Sequence, residues 1–254
     1  MRPLAALLVF LLLASPAMAQ LRLGESGLTL NPTATVTSDY IFRGISQTRS
    51  RPAAQVNTEL AHPGSGVYIG SFVSNAQYQS YDVTTEIDLF GGIRFPLGGF
   101  NIDVLGIWYH YAGLTRRGAQ PRLDYVEAIL RASRSIGPVT ILGMLGASPN
   151  YFASAGTGLY VEAGLDWQTG LWGLTLGGRL AHQMIGRPAN FGVGNYSWWG
   201  VNLSRDFTIE ALGTLTATLS YVQTSIARDH CEPISGRGQD ICGARALASL
   251  GFRF

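Results

Sequence analysis

Acidic and arginine side chains recur at alternate positions along this chain, each set among apolar residues. Asp39, Glu59, Glu86, Asp88, Asp103, Glu127, Glu162 and Asp166 follow this pattern, together with Arg43, Arg94, Arg131, Arg179, Arg245 and Arg253. In a β-strand successive side chains point to opposite faces, so such spacing collects the charges on one face. A wall that is polar inside and apolar outside can line an aqueous lumen, where fixed charges decide which solutes enter. The same charges can instead pair and only stiffen the wall. Glu86 and Asp88 have no basic partner on either strand of their predicted hairpin, whose turn at Pro96–Gly99 would set Arg94 opposite Asn101 and diagonal to Asp103. Unpaired carboxylates in a narrow passage attract cations. The expectation is an acidic upper lumen made by Glu86 and Asp88 with Glu127 and Glu162, partly neutralised lower down by Arg131 and Arg179, and a weak preference for cations.

Other chemistries find less support. Nucleophilic catalysis needs a serine activated by a histidine that a third group orients. His62, His110, His182 and His230 are the histidines, and His110 and His182 share parity with outward-facing neighbours near one end of their strands. No nucleophile motif accompanies them, so the chain reads as a non-enzyme, with a lipase-like barrel as one alternative and a binding or structural barrel without an open pore as another. Cys231 and Cys242 share one loop with Pro233 and several glycines, which in an exported protein reads as a disulfide. His230 beside them does not complete a metal site, and no metal or cofactor is expected. No basic patch offers a surface for nucleic acid.

The elements that must position these residues are strands. Arg2, the apolar run Leu4–Leu13 and the small-residue site Ala17–Ala19 form a secretory signal, residues 1–19, cleaved before Gln20. Residues 20–254 contain no apolar run of the roughly 18 residues that a transmembrane helix needs. Only 13% of residues are charged, against about 25% in an ordinary soluble domain. All eighteen basic residues other than histidine are arginine. Alternation recurs through twelve segments, joined in turn by longer polar loops and by short Gly/Pro turns. The first runs from Thr33 to Ile45, with Ala34, Val36, Ser38, Tyr40 and Phe42 outward and Thr35, Thr37, Asp39 and Arg43 inward. Even strand number, loops sorted by length and strands of about ten residues mark outer-membrane barrels. The expected fold is therefore an all-β, transmembrane, up-and-down antiparallel barrel of twelve strands forming one domain, residues 20–254. Tyr40, Phe42, Trp108, Trp167, Trp172, Trp198 and Trp199 near strand ends would form two interfacial girdles. Closure requires Thr33–Ile45 to pair with Ala244–Phe254, because hydrocarbon tolerates no open strand edge.

The run Ser38-Asp-Tyr-Ile-Phe-Arg-Gly-Ile-Ser-Gln-Thr48, followed by Pro52-Ala-Ala-Gln55, resembles the opening motif of the TorF-type porins of Gram-negative bacteria. Gly66–Gly70, Ser74-Asn75 and Glu86–Gly91 resemble that family's next blocks, in the same order. The resemblance covers about Val36 to Tyr111 and implies a passive outer-membrane channel for small solutes. Phe252 and Phe254 resemble the C-terminal signal by which barrel proteins are recognised for insertion. Outer-membrane lipid, the insertion machinery and an unspecified solute are then the expected partners.

Overall fold

The computed structural model describes residues 21–78, 81–113, 122–210, 212–235 and 240–254. The signal segment 1–19 and the loop arginines Arg116 and Arg117 lie outside them. Twelve strands make the wall: β1 Thr29–Thr37, β2 Ala53–His62, β3 Val67–Asn75, β4 Thr85–Leu97, β5 Phe100–Ala112, β6 Tyr125–Ile136, β7 Val139–Ser148, β8 Gly158–Gln168, β9 Leu174–Ile185, β10 Tyr196–Ile209, β11 Gly213–Thr224 and β12 Arg245–Arg253. Each pairs antiparallel with its neighbours in sequence, and β12 returns to β1 through Ser249↔Thr37 to Arg253↔Thr33. The sheet is a closed barrel. No helix among the described residues is long and apolar enough to cross a membrane.

Closure joins the last strand to the first over Ser249–Arg253, and alternation does the rest. Val36, Ile69, Leu145, Val201 and Leu219 point outward and are at least 50% exposed. So continuous an apolar belt is unfavourable in water but is the normal outer face of a strand in lipid. Trp108 and Trp199 lie on this face towards one end, Trp167 towards the other, and Trp172 in the turn beyond it. At the turn end, short reversals join the strands. Gly98 and Gly99, with φ of 59° and 80°, supply the left-handed pair that a two-residue hairpin needs. At the loop end the connections are longer.

Two expectations are corrected. The first strand is Thr29–Thr37 and ends well before Ile45. Beyond Thr37, side chains bind backbone and one another in a turn: the Thr37 hydroxyl donates to the Asp39 carbonyl at 2.8 Å, and Ser46 and Thr48 donate to the Asp39 carboxylate at 2.6 and 2.9 Å. Such local bonds compete with a sheet ladder. They draw the chain off the wall and into the barrel, so Tyr40 and Phe42 face the interior and join no girdle; Trp198 likewise lies on the lumen face. The second correction concerns register. Strands β4 and β5 run on to the Gly98-Gly99 turn, so Arg94 stands opposite Asp103 and Pro96 opposite Asn101.

The outward face predicts a depth-dependent cost for charge. Leu219→Arg, near the middle of β11, should destabilise the barrel refolded into lipid vesicles by roughly 2–4 kcal/mol. The same change at its lumen-facing neighbour Ser220 should cost clearly less. Equal costs in urea titrations followed by circular dichroism would contradict this assignment of faces.

Candidate functional site

The segment drawn off the wall crosses the lumen as a small hairpin, Ile41–Phe42 paired with Ile45–Ser46. Its turn residues Arg43 and Gly44 have φ of 48° and 84°, the mirror-image turn suited to hairpins. A side chain at Gly44 would meet Thr224 on β11 at 2.6 Å and Trp198 on β10 at 2.7 Å. The tip is therefore seated closely against β10 and β11.

Arg43 fixes it there. Its guanidinium makes two parallel hydrogen bonds to Glu127 on β6, at 3.0 and 2.7 Å, and donates to Gln183 on β9 at 2.8 Å. It also lies 3.9 Å from the centre of the Tyr160 ring. Both members of the ion pair are nearly inaccessible to water. A forked arginine–carboxylate pair is the strongest kind, and burial makes loss of either partner costly. The base of the hairpin is held by Asp39, which accepts from Arg245 on β12 at 3.1 Å.

Aromatic side chains fill the space around the tip. Phe42 packs edge-on against Tyr109, Tyr109 stacks on Tyr125 with centroids 4.2 Å apart, and Tyr151, Phe152 and Phe191 fold in from two loops. Cys231 and Cys242, joined in a disulfide, are fully buried at the edge of this cluster. The void bounded by Phe42, Ile45, Tyr111, Tyr151, Phe191 and Tyr196 is only about 50 Å³. Among the described residues the tip of the hairpin is thus closely packed at the loop end of the lumen.

Below the plug the lumen is open. One cavity of about 610 Å³ reaches from Tyr40 and Asp88 down to Arg94 and Arg131; a second, of about 640 Å³, runs from those arginines to Glu162 and Arg179. Most of the lumen charges are matched. Arg94 binds Glu59 at 2.7 Å and approaches Asp103 at 3.7 Å, where Arg131 also reaches at 3.4 Å. Arg179 binds Asp166 at 2.9 Å and approaches Glu162 at 3.9 Å. Glu86 and Asp88 face the lumen beneath the plug, and among the described residues no arginine pairs with them. Glu127, expected to add free negative charge, is neutralised by Arg43, and Glu162 lies beside Arg179 rather than with Glu86.

The lipid-facing histidines are also engaged. His110 meets Asp124 at 2.9 Å, and His182 meets the Ser197 hydroxyl at 2.9 Å. The second contact has the atoms of a serine–histidine dyad. Among the described residues no carboxylate contacts His182, and the Ser197 amide is engaged by Ser225. Among the described residues, no three His, Cys, Asp or Glu side chains gather as metal ligands. Phe252 and Phe254 stack edge-on at 4.8 Å at the end of β12.

Residues 22–250 match the model of a family described as "Bacterial protein of unknown function (Gcw_chp)". The chain belongs to this family. No curated protein matches it in sequence. Among solved structures, the KdgM porin superposes with a TM-score of 0.53 at 9% identity, covering 89% of this chain and 98% of that one. The outer membrane protein opdK from Pseudomonas aeruginosa gives 0.46 at 13% identity over 92% and 68%. At 9% identity the likeness to the KdgM porin is one of fold: a porin-like barrel.

The plug generates two predictions. Arg43→Ala leaves Glu127 buried without its counter-charge and should destabilise the plug by about 3–5 kcal/mol, whereas Arg43→Met with Glu127→Met should cost much less. Hydrogen exchange of the 38–48 amides measures both. The second concerns Tyr151, whose phenol burial pushes from 10.0 to about 12, with Arg43 pulling the other way. A phenol raised on folding stabilises the plug fully below pH 10 and ceases to do so as pH rises through 12. Tyrosinate absorbance should therefore show a late step over that range, and Tyr151→Phe should remove it.

Proposed function

We propose that this protein is an outer-membrane channel of porin type, passing small solutes or ions by passive diffusion when the hairpin 38–48 leaves its seat. The observation that carries this reading is the pair of adjoining cavities, about 610 and 640 Å³, which share Arg94 and Arg131 and stop beneath the Arg43–Glu127 pair. Wall side chains fill an eight-stranded barrel, whereas sixteen to eighteen strands leave an open channel. Twelve leave a lumen that one inserted segment can close. The resemblance of Ser38–Thr48 to the TorF-type porins supports the same reading, and that motif is the hairpin itself. The apolar belt implies outer-membrane lipid as the surroundings. A cleaved signal at residues 1–19 and the terminal Phe252 and Phe254 fit export and handling by the insertion machinery. We read the protein as a non-enzyme: among the described residues no carboxylate orients His182 beside Ser197, as a catalytic triad requires.

Selectivity follows from charge matching. With Glu127 and Glu162 beside arginines, the preference for cations rests on Glu86 and Asp88. The plug also favours a second reading, a permanently closed barrel with a structural or binding role. Planar-bilayer recordings separate the two. Wild type should show brief or rare openings, Arg43→Ala a severalfold larger mean conductance, and reversal potentials in a salt gradient a cation preference that Glu86→Gln/Asp88→Asn removes. A silent Arg43→Ala barrel, folded by its gel migration, would favour the closed reading.

A further inference from the structure

Glu86 and Asp88 present an electrostatic problem that the wall does not solve. They sit two residues apart on the lumen face of β4 and are 1% and 4% exposed. Glu86 Oε2 and Asp88 Oδ1 are buried and make no hydrogen bond among the described residues. The contact to Glu86 is a 3.3 Å bond donated to its other oxygen by the Tyr40 hydroxyl. Tyr40 belongs to the segment that enters the lumen. An ionised carboxylate taken out of water is strongly unfavourable unless a counter-charge or donors replace the lost hydration. Asp39, Glu59, Asp103, Glu127 and Asp166 each have an arginine within 4.0 Å.

We propose that Glu86 and Asp88 form a binding site for one hard divalent cation, of the calcium type, between strand β4 and Tyr40 of the inserted segment. One such ion balances two carboxylates. Calcium takes oxygen ligands in irregular geometry and accepts waters to complete its shell. Water is at hand, because Asp88 lines the cavity of about 610 Å³ that leads away from the plug. The protein then donates two carboxylates, and the free oxygens Oε2 and Oδ1 are the atoms available to the ion. Tyr40 and Phe72 enclose the site, with Tyr109 opposite Asp88 on β5. An ion there relieves the repulsion between the carboxylates and steadies the segment that carries Tyr40. The site does not depend on whether the lumen conducts.

Terbium, which replaces calcium and is sensitised by nearby tyrosines such as Tyr40 and Tyr109, is the probe. The mature chain refolded in detergent should give saturable tyrosine-sensitised emission at one ion per chain, displaced by calcium chloride. Glu86→Gln/Asp88→Asn should weaken binding by roughly tenfold or more. Asp206→Asn, at a lumen carboxylate near the turn end, should leave it unchanged. Absence of sensitised emission in the wild type overturns the proposal without any variant, as does equal affinity in the double variant. Where the double variant fails to show folded, heat-modifiable migration, Asp88→Asn alone is titrated, and unchanged affinity there overturns it equally.

Discussion

Hydrocarbon offers no partner to a backbone amide or carbonyl, and everything else in this protein follows from that. The sheet must close, so β12 must find β1, and the closed sheet encloses a space. Twelve strands make that space too wide for their own side chains to fill. The chain fills its loop end with segments that a soluble fold would leave at the surface. Those segments bring their own polar groups with them. The hairpin's backbone is satisfied by its own ladder and by the Thr37 and Thr48 hydroxyls, which bind the Asp39 carbonyl and the Tyr40 amide, and the charge at its tip is matched by Glu127.

The lumen is therefore two environments in series. Near the loops it resembles a protein core: stacked tyrosines, a disulfide and a buried ion pair. Towards the turns it is a wet, charged passage in which arginines alternate with carboxylates around the wall. Arginine suits this role because one planar fork can serve two acceptors, as Arg179 does with Asp166 and Glu162. Glu86 and Asp88 lie at the boundary between the two, with the low polarity of the first and none of the cations of the second.

Much of this was legible in the chain. Alternation marked the wall strands and sorted lipid-facing Val36, Leu89 and Val126 from lumen-facing Asp88 and Glu127, because a strand's period of two leaves one face for each solvent. The disulfide between Cys231 and Cys242 was legible from two cysteines sharing one loop of a chain that reads as exported. The hairpin was not. Ser38, Tyr40 and Phe42 keep the parity of Ala34 and Val36, and periodicity cannot tell a strand in the wall from one that has turned inward. The available signal was local: Asp39 with Ser46 and Thr48 as turn formers, and Arg43-Gly44 as a turn of left-handed residues. The pairing of Arg43 with Glu127 lay beyond sequence reading, since 84 residues separate them. The register of Arg94 differs from the sequence reading for a simpler reason: Pro96 reads as part of the turn, whereas it lies inside the strand.

The seat of the hairpin also constrains how the molecule can be put together. The segment follows the first strand made, yet its anchors belong to strands made much later: Gln183 is 140 residues away and the Asp39 partner Arg245 is 206. Contacts so distant in sequence form slowly, because long loops must close before they are rewarded. The hairpin's binding site does not exist until the wall from β6 to β10 has been built, and its base is not clamped until β12 arrives. The nascent sheet must thus curl around a guest already attached to its leading edge. Sealing the seam between β1 and β12 encloses that guest, so completion of the wall and occupation of the interior are one event.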